Sequence, residues 1–242
     1  MSGGGRNPGN DGGPSEAAFP RVGDALTLYG WRVPASRVVS LAEASGITPA
    51  TVTLVEALLS ALVFALFWNA QYWVGLIVAL AVTFISLVAL LLERTTPDHP
   101  TWARRVRVAV ELAPPAFWWW AWEHGLAASG RALAPVYATM VLWVVVGGYV
   151  SDLATDGLSR QRFRGMPLDA WQPVDGYVRL VAAGRNVNLA ILALALLFGR
   201  PDVGLELVAW WTLITLIFHS VRLAQLTERQ HRREKISSWL EP

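Results

Sequence analysis

Six apolar windows, roughly 51–69, 72–92, 106–128, 132–151, 177–199 and 203–222, govern what this chain can fold into. Each approaches the ~20 residues that a helix needs to cross about 30 Å of hydrocarbon. The expected fold is therefore all-α, a polytopic transmembrane helical bundle of about six spans. Composition agrees, since 54% of residues are hydrophobic and only 16% charged, against about 25% charged in an average soluble domain. Two windows are irregular. The third holds Pro114 and Pro115 ahead of a tryptophan run, and the fifth has Arg179, Arg185, Asn186 and Asn188 in its first half. Both are expected to kink or to begin outside the hydrocarbon core.

The flanks read differently. Residues 1–16 are Gly, Pro, Asn and Ser with almost no apolar side chains, too few to offset ordering entropy, and predict a flexible tail. No apolar run closely follows the first arginine, which argues against a secretory signal. Residues 17–50 mix apolar side chains with Arg21, Asp24, Arg32, Arg37 and Glu43, a pattern suited to amphipathic helices lying at the membrane interface. A six-helix domain over 51–223 and a basic tail over 224–242 complete the division.

Charge sets the orientation. With six spans and both ends on one side, 18 of the 20 Lys and Arg residues share that side, and only Arg131 and Arg200 lie opposite. The positive-inside rule places both termini in the cytoplasm of a multi-pass cell-membrane protein. Topology and anionic membrane lipids account for the basic face, TERQHRREK included. The arginines lack interleaved surface aromatics, so a nucleic-acid partner is not expected.

One connection concentrates charge: SDLATDGLSRQRFRGMPLDAWQPVD, residues 151–175. Asp152 and Asp156 are four apart, one helical turn on one face, and would repel unless something positive lies between them. Gly157 allows a turn or a close ligand approach, and Arg160 offers a fork matched to phosphate. Gly165, Asp169 and Asp175 follow. With no cysteine in the chain, a metal must be held by oxygen or histidine. Carboxylates gathering a hard cation beside arginine suit pyrophosphate chemistry: Asp152, Asp156 and Asp169 for Mg²⁺ or Mn²⁺, and Asp169 or Asp175 as the base for an attacking hydroxyl. The opposing reading is a solvated loop of Asp–Arg pairs, each worth ~0–1 kcal/mol.

Other positions carry two readings each. Arg185 opens the fifth span near a helix N-terminus, where it either reaches a phosphate or snorkels to the interface. His219 is a proton carrier, a lipid-phosphate contact or a packing residue. Glu56, inside the first span, must face protein or a water-filled cavity. The tryptophans within 117–122 suit interfacial belts and packing. No P-loop, dinucleotide glycine motif, nucleophile elbow or zinc helix motif occurs.

ITPATVTLVEALLSALVFAL (47–66) resembles the opening of the first transmembrane helix in CDP-alcohol phosphatidyltransferases. GRNVNLAILALALLFGRPDVGLELVAWWTLITLIFHSVRL (184–223) is similar to the last two helices of bacterial proteins placed in that family. Together these cover about 60 of the 242 residues. The resemblance implies a six-helix membrane homodimer that uses a divalent metal to transfer a phosphatidyl or phospho-alcohol group from a CDP-linked lipid donor to an alcohol acceptor, with release of CMP. The family signature, Asp-x2-Asp-Gly-x2-Ala-Arg-x8-Gly-x3-Asp-x3-Asp, lies between its second and third helices. Here that place reads LLLERTTPDHPTWARRVRVAVEL, with Glu93, Asp98 and Glu111 as its carboxylates and no Asp-Gly pair. A similar order of residue types appears one hairpin later, at Asp152, Asp156, Gly157, Arg160, Gly165, Asp169 and Asp175. On the enzyme reading Arg160 and Arg185 clamp phosphate oxygens. The alternatives are a non-catalytic membrane scaffold of the same fold, which the missing signature favours, and a small transporter, suggested by Glu56.

Overall fold

The computed structural model describes residues 24–96, 101–163, 166–234, 236 and 239. The expected flexible tail at 1–16 lies outside them. Among the described residues every regular element is helical. A π-helical turn, Leu26–Trp31, leads into α1 (Arg32–Ala44). Then come α2 (Pro49–Trp68), α3 (Tyr72–Thr95), α4 (Thr101–Ala128), α5 (Pro135–Arg162), a 3-10 turn (Leu168–Ala170), α6 (Pro173–Val181), α7 (Arg185–Leu197) and α8 (Pro201–His231).

Four of these, α2, α3, α5 and α8, are long and apolar enough to cross a membrane, and α6 with α7 make a fifth if taken as one bent span. The α4 helix is long at 28 residues and continues unbroken through Pro114 and Pro115. Its second half is rich in tryptophan and holds Glu123 and His124, and its first turns carry Arg104, Arg105 and Arg107. Hydropathy therefore marks four to five spans where six were expected. The α8 helix extends to His231, so residues 224–231, expected as tail, are its last two turns.

The bundle turns its polar side chains inward. On α2 the buried positions Thr53, Glu56, Ser60, Val63 and Phe67 recur at spacings of three and four, and Leu54, Leu58 and Leu62 stand exposed on another stripe. On α8, Thr212, Thr215 and His219 are buried while Ile214, Ile217 and Val221 are exposed. Exposed aliphatic stripes opposite buried hydroxyls suit a lipid solvent, where polar groups must find partners within the protein. Fully buried Trp118, Trp119 and Trp122 of α4 fill the centre. Phe67 meets Trp122 edge to face at 4.9 Å. The indole N–H groups of Trp118 and Trp122 donate to the carbonyls of Ser60 and Pro201, both at 3.1 Å. These three tryptophans pack, whereas Trp120 is half-exposed.

Local chemistry explains the ends. Thr48 caps α2, its hydroxyl accepting from the Thr51 N–H, and Pro49 supplies the first turn. Between α7 and α8, Gly199 sits at φ +67° and closes the hairpin. Gly204 lets α7 and α8 touch, because a Cβ there would lie 2.8 Å from that of Ala195. At the opposite end, α1 lays Ala35, Val39 and Ala42 against Leu87, Val88, Leu91 and Leu92 of α3. Tyr29, Val33 and Leu41 remain exposed on the same segment, an arrangement consistent with the expected interfacial amphipathic helix.

The fifth window is broken at 182–184, where α6 and α7 meet at 43°. A break in a helix frees backbone groups that must find partners elsewhere, and α8 supplies them. The hydroxyl of Thr215 accepts from the Ala183 N–H at 3.0 Å, and the indole of Trp211 donates to the Val181 carbonyl at 2.7 Å.

Candidate functional site

Charged side chains collect where the end of α5, the 3-10 turn, α6, the start of α7 and the second half of α8 meet. Arg179, on α6, stands at the centre. Its Nη1 lies 3.5 Å from Asp152 Oδ2, and its Nε lies 3.4 Å from Asp169 Oδ2. The second oxygen of Asp152 shares a hydrogen bond with His219 Nδ1. Asp156, one turn beyond Asp152, is held by Arg160 Nε at 2.8 Å, and both of these side chains are exposed. Asp169 Oδ1 is buried and has no hydrogen-bond partner. Burial raises the Asp169 carboxyl above its ordinary value; Arg179 pulls it down and nearby Asp156 pushes it further up.

Next to this cluster a cavity of about 300 Å³ is walled by Glu56 on α2, Thr83, Ser86 and Leu90 on α3, Asp152 on α5, Arg179 on α6, and Gly184, Arg185 and Asn186 at the α7 start. Asp24 and Thr27 close one side of it. The Ser86 hydroxyl donates to Glu56 Oε1, and Arg185 Nη1 lies 3.9 Å from the same oxygen. Glu56 thus faces the cavity, as its place within a span requires.

The expected site residues separate into groups. Asp152 and Asp169 come together and Asp156 lies near them, but the positive charge between the first two is a guanidinium. Among the described residues no three His, Asp or Glu side chains form a group able to hold a metal ion. The set expected for Mg²⁺ or Mn²⁺ does not fit one as it stands: both Asp152 oxygens face His219 and Arg179, Asp156 faces Arg160, and one Asp169 oxygen faces Arg179.

Asp175, expected as a base, has a structural place. It forms a capping box with Gln172 at the α6 start, and Arg222 binds both its oxygens, at 2.5 and 2.8 Å. Arg222 also donates to Gln172 at 2.6 Å and stacks over Trp171, its guanidinium carbon 4.1 Å from the ring centroid. Gly157 makes no turn, because α5 runs on through it to Arg162, and open space surrounds the place of its Cβ. Arg160 serves Asp156 on its own helix and does not line the cavity. Arg185 does line it. Gly165 lies outside the described residues.

The residues that sequence reasoning missed are Arg179 in its central role, Ser86, and the pair Asp24 and Asn186. The Nδ2 of Asn186 donates to Asp24 Oδ1 at 2.9 Å and Thr27 Oγ1 at 3.2 Å, joining segments more than 150 residues apart. The available signal was slight: Arg179, Arg185, Asn186 and Asn188 crowd one side of a span that should be apolar. Neither a family model nor a curated protein matches this chain.

Proposed function

We propose that the chain is a non-catalytic multi-pass membrane protein with an architecture resembling that of CDP-alcohol phosphatidyltransferases, a scaffold that has the helical bundle and its polar cavity without metal-dependent group transfer. The observation that supports this reading is Arg179, whose guanidinium lies between Asp152 and Asp169 where the transferase reading needs a divalent cation. The α3 wall of the cavity agrees, since Thr83, Ser86, Leu87 and Leu90 bring no carboxylate. Counting α4 and the α6–α7 pair as one span each gives a six-span arrangement, and the distribution of Arg and Lys favours a cytoplasmic side for the charged end and both termini.

The transferase reading has one observation in its favour. Asp152 and Asp169 converge on one point, and Asp156 is close enough to act on the charge of Asp169. The test uses the purified protein in lipid nanodiscs with CDP-diacylglycerol, a panel of alcohol acceptors, and Mg²⁺ or Mn²⁺. CMP release no higher than in protein-free discs is expected. Metal-dependent release that Asp156→Asn abolishes would replace the scaffold reading with the transferase one.

A further inference from the structure

From Asp24 to Trp31 the chain crosses one side of the cavity, and its two ends are held differently. At Trp31 the indole packs edge-on against Phe84 of α3, with ring centroids 5.2 Å apart. The α1 helix follows, rooted on α3 by Ala35, Val39 and Ala42. At the other end Asp24 and Thr27 line the cavity and reach α7 through Asn186, whose Nδ2 donates to Asp24 Oδ1 at 2.9 Å and to Thr27 Oγ1 at 3.2 Å. No side chain from Asp24 to Trp31 is buried, and Tyr29 is 76% exposed. A segment that buries so little opens at low cost.

The sequence builds a hinge between these ends. Pro34 has no N–H to offer the Gly30 carbonyl, and in an α-helix its ring would crowd that carbonyl. The chain is wound as a π-helical turn over Leu26–Trp31, and α1 takes over at Arg32. Beyond the hinge the segment holds its own shape. The Thr27 N–H donates to Asp24 Oδ1 at 3.0 Å, and the Thr27 hydroxyl donates to Asp24 Oδ2 at 2.8 Å. Because these bonds are internal, they survive a swing of the whole piece.

We propose that residues 24–31 are a lid over the polar cavity, hinged at the junction with α1 and latched to α7 by Asn186. The structure shows the lid closed over a space of about 300 Å³. Releasing the latch exchanges two polar contacts for water and uncovers no apolar core. The open state gives small polar solutes a path to Ser86, Glu56 and Arg185 from the charged end of the bundle. The proposal goes beyond the scaffold reading and does not depend on it, because opening is measured whether or not CMP is released.

The chain has no cysteine, so a single introduced thiol reports on one place. Thr83 lines the cavity and is 5% exposed. Its hydroxyl bonds back to the Leu80 carbonyl of its own helix at 2.8 Å, so Thr83→Cys spares the latch. Ala79, one turn away and fully buried in the apolar core, supplies the control Ala79→Cys. The full-length protein in lipid nanodiscs is treated with 2-(trimethylammonium)ethyl methanethiosulfonate, and modification is followed by intact mass. Thr83→Cys is expected to react slowly, and about tenfold faster when combined with Asn186→Ala or Asp24→Ala, the ratio produced by losing about 1.4 kcal/mol of latch bonding. Ala79→Cys should stay unmodified in every background. Amide hydrogen exchange should quicken over residues 26–31 in Asn186→Ala and stay unchanged over 35–44. Equal Thr83→Cys rates with and without the latch overturn the proposal. So does modification of Ala79→Cys alongside Thr83→Cys, which assigns the effect to unfolding, and so does exchange that quickens over 26–31 and 35–44 alike. Should Asn186→Ala not fold, Asp24→Ala, which leaves α7 intact, decides by the same readouts.

Discussion

His219 on α8 hydrogen-bonds Asp152 on α5 through its Nδ1, and this contact anchors the charged cluster to the interior of the bundle. The imidazole is buried, and the other Asp152 oxygen is occupied by Arg179. His219→Ala is expected to destabilise the protein by about 1–3 kcal/mol, the usual result of stranding a buried polar group. His231→Ala, on an exposed turn of the same helix, should be neutral. Thermal unfolding in one detergent, followed by tryptophan fluorescence, compares the two.

Arg179 separates two carboxylates that would otherwise face each other. Arg179→Met is expected to cost about 1–3 kcal/mol, below the value for a fully buried pair because the arginine is one-third exposed. Adding Asp169→Asn to Arg179→Met should restore part of the loss. A double-mutant cycle measured by the same unfolding assay checks this, and additive losses would show that Arg179 acts by packing alone.

The Asp169 carboxyl is raised by burial, so between the ordinary carboxylate value and its raised folded value the native state holds more protons than the unfolded chain. Stability from this group is therefore fully present below the ordinary value and is lost as pH rises through the folded one. Asp169→Asn should flatten that part of the curve. Unfolding midpoints from about pH 3.5 to 7, bracketing the ordinary Asp value, compare the slopes.

The break between α6 and α7 relies on two side chains of α8. Thr215→Val should leave the Ala183 N–H without its acceptor, and Trp211→Phe should leave the Val181 carbonyl without its donor. Each is expected to cost about 1 kcal/mol, in line with interhelical hydrogen bonds in membranes. Amide hydrogen exchange should quicken at Ala183 in Thr215→Val, while the hairpin at Gly199 keeps its protection.

How far the sequence could be read depended on whether a feature is local or long-range. The expected windows 51–69 and 72–92 became α2 and α3 within three residues at either end, because a continuous apolar run records its own length. The window at 132–151 stopped short. The helix continues to Arg162, since Asp156 and Arg160 pair one turn apart and Thr155 bonds back to the Ser151 carbonyl at 2.7 Å, contacts that sustain a helix after hydrophobicity ends. The break at 182–184 was legible only as an irregularity, because the groups that satisfy it lie about thirty residues later in the chain. The site divides the same way. The aspartates advertise themselves by type and order, whereas Arg179 between them, His219 behind Asp152 and Asp24 against Asn186 are products of tertiary packing.

The shortness of α7 bears on the bilayer itself. Thirteen residues rise about 20 Å, well under the roughly 30 Å of a typical hydrocarbon core. If the α6–α7 pair crosses as one bent span, the swerve at Gly184 should let water and head groups descend to the first turn of α7. The leaflet on that side should dimple around α6, thinner there than beside α2 or α3, and lipids with short or unsaturated tails should gather in the depression.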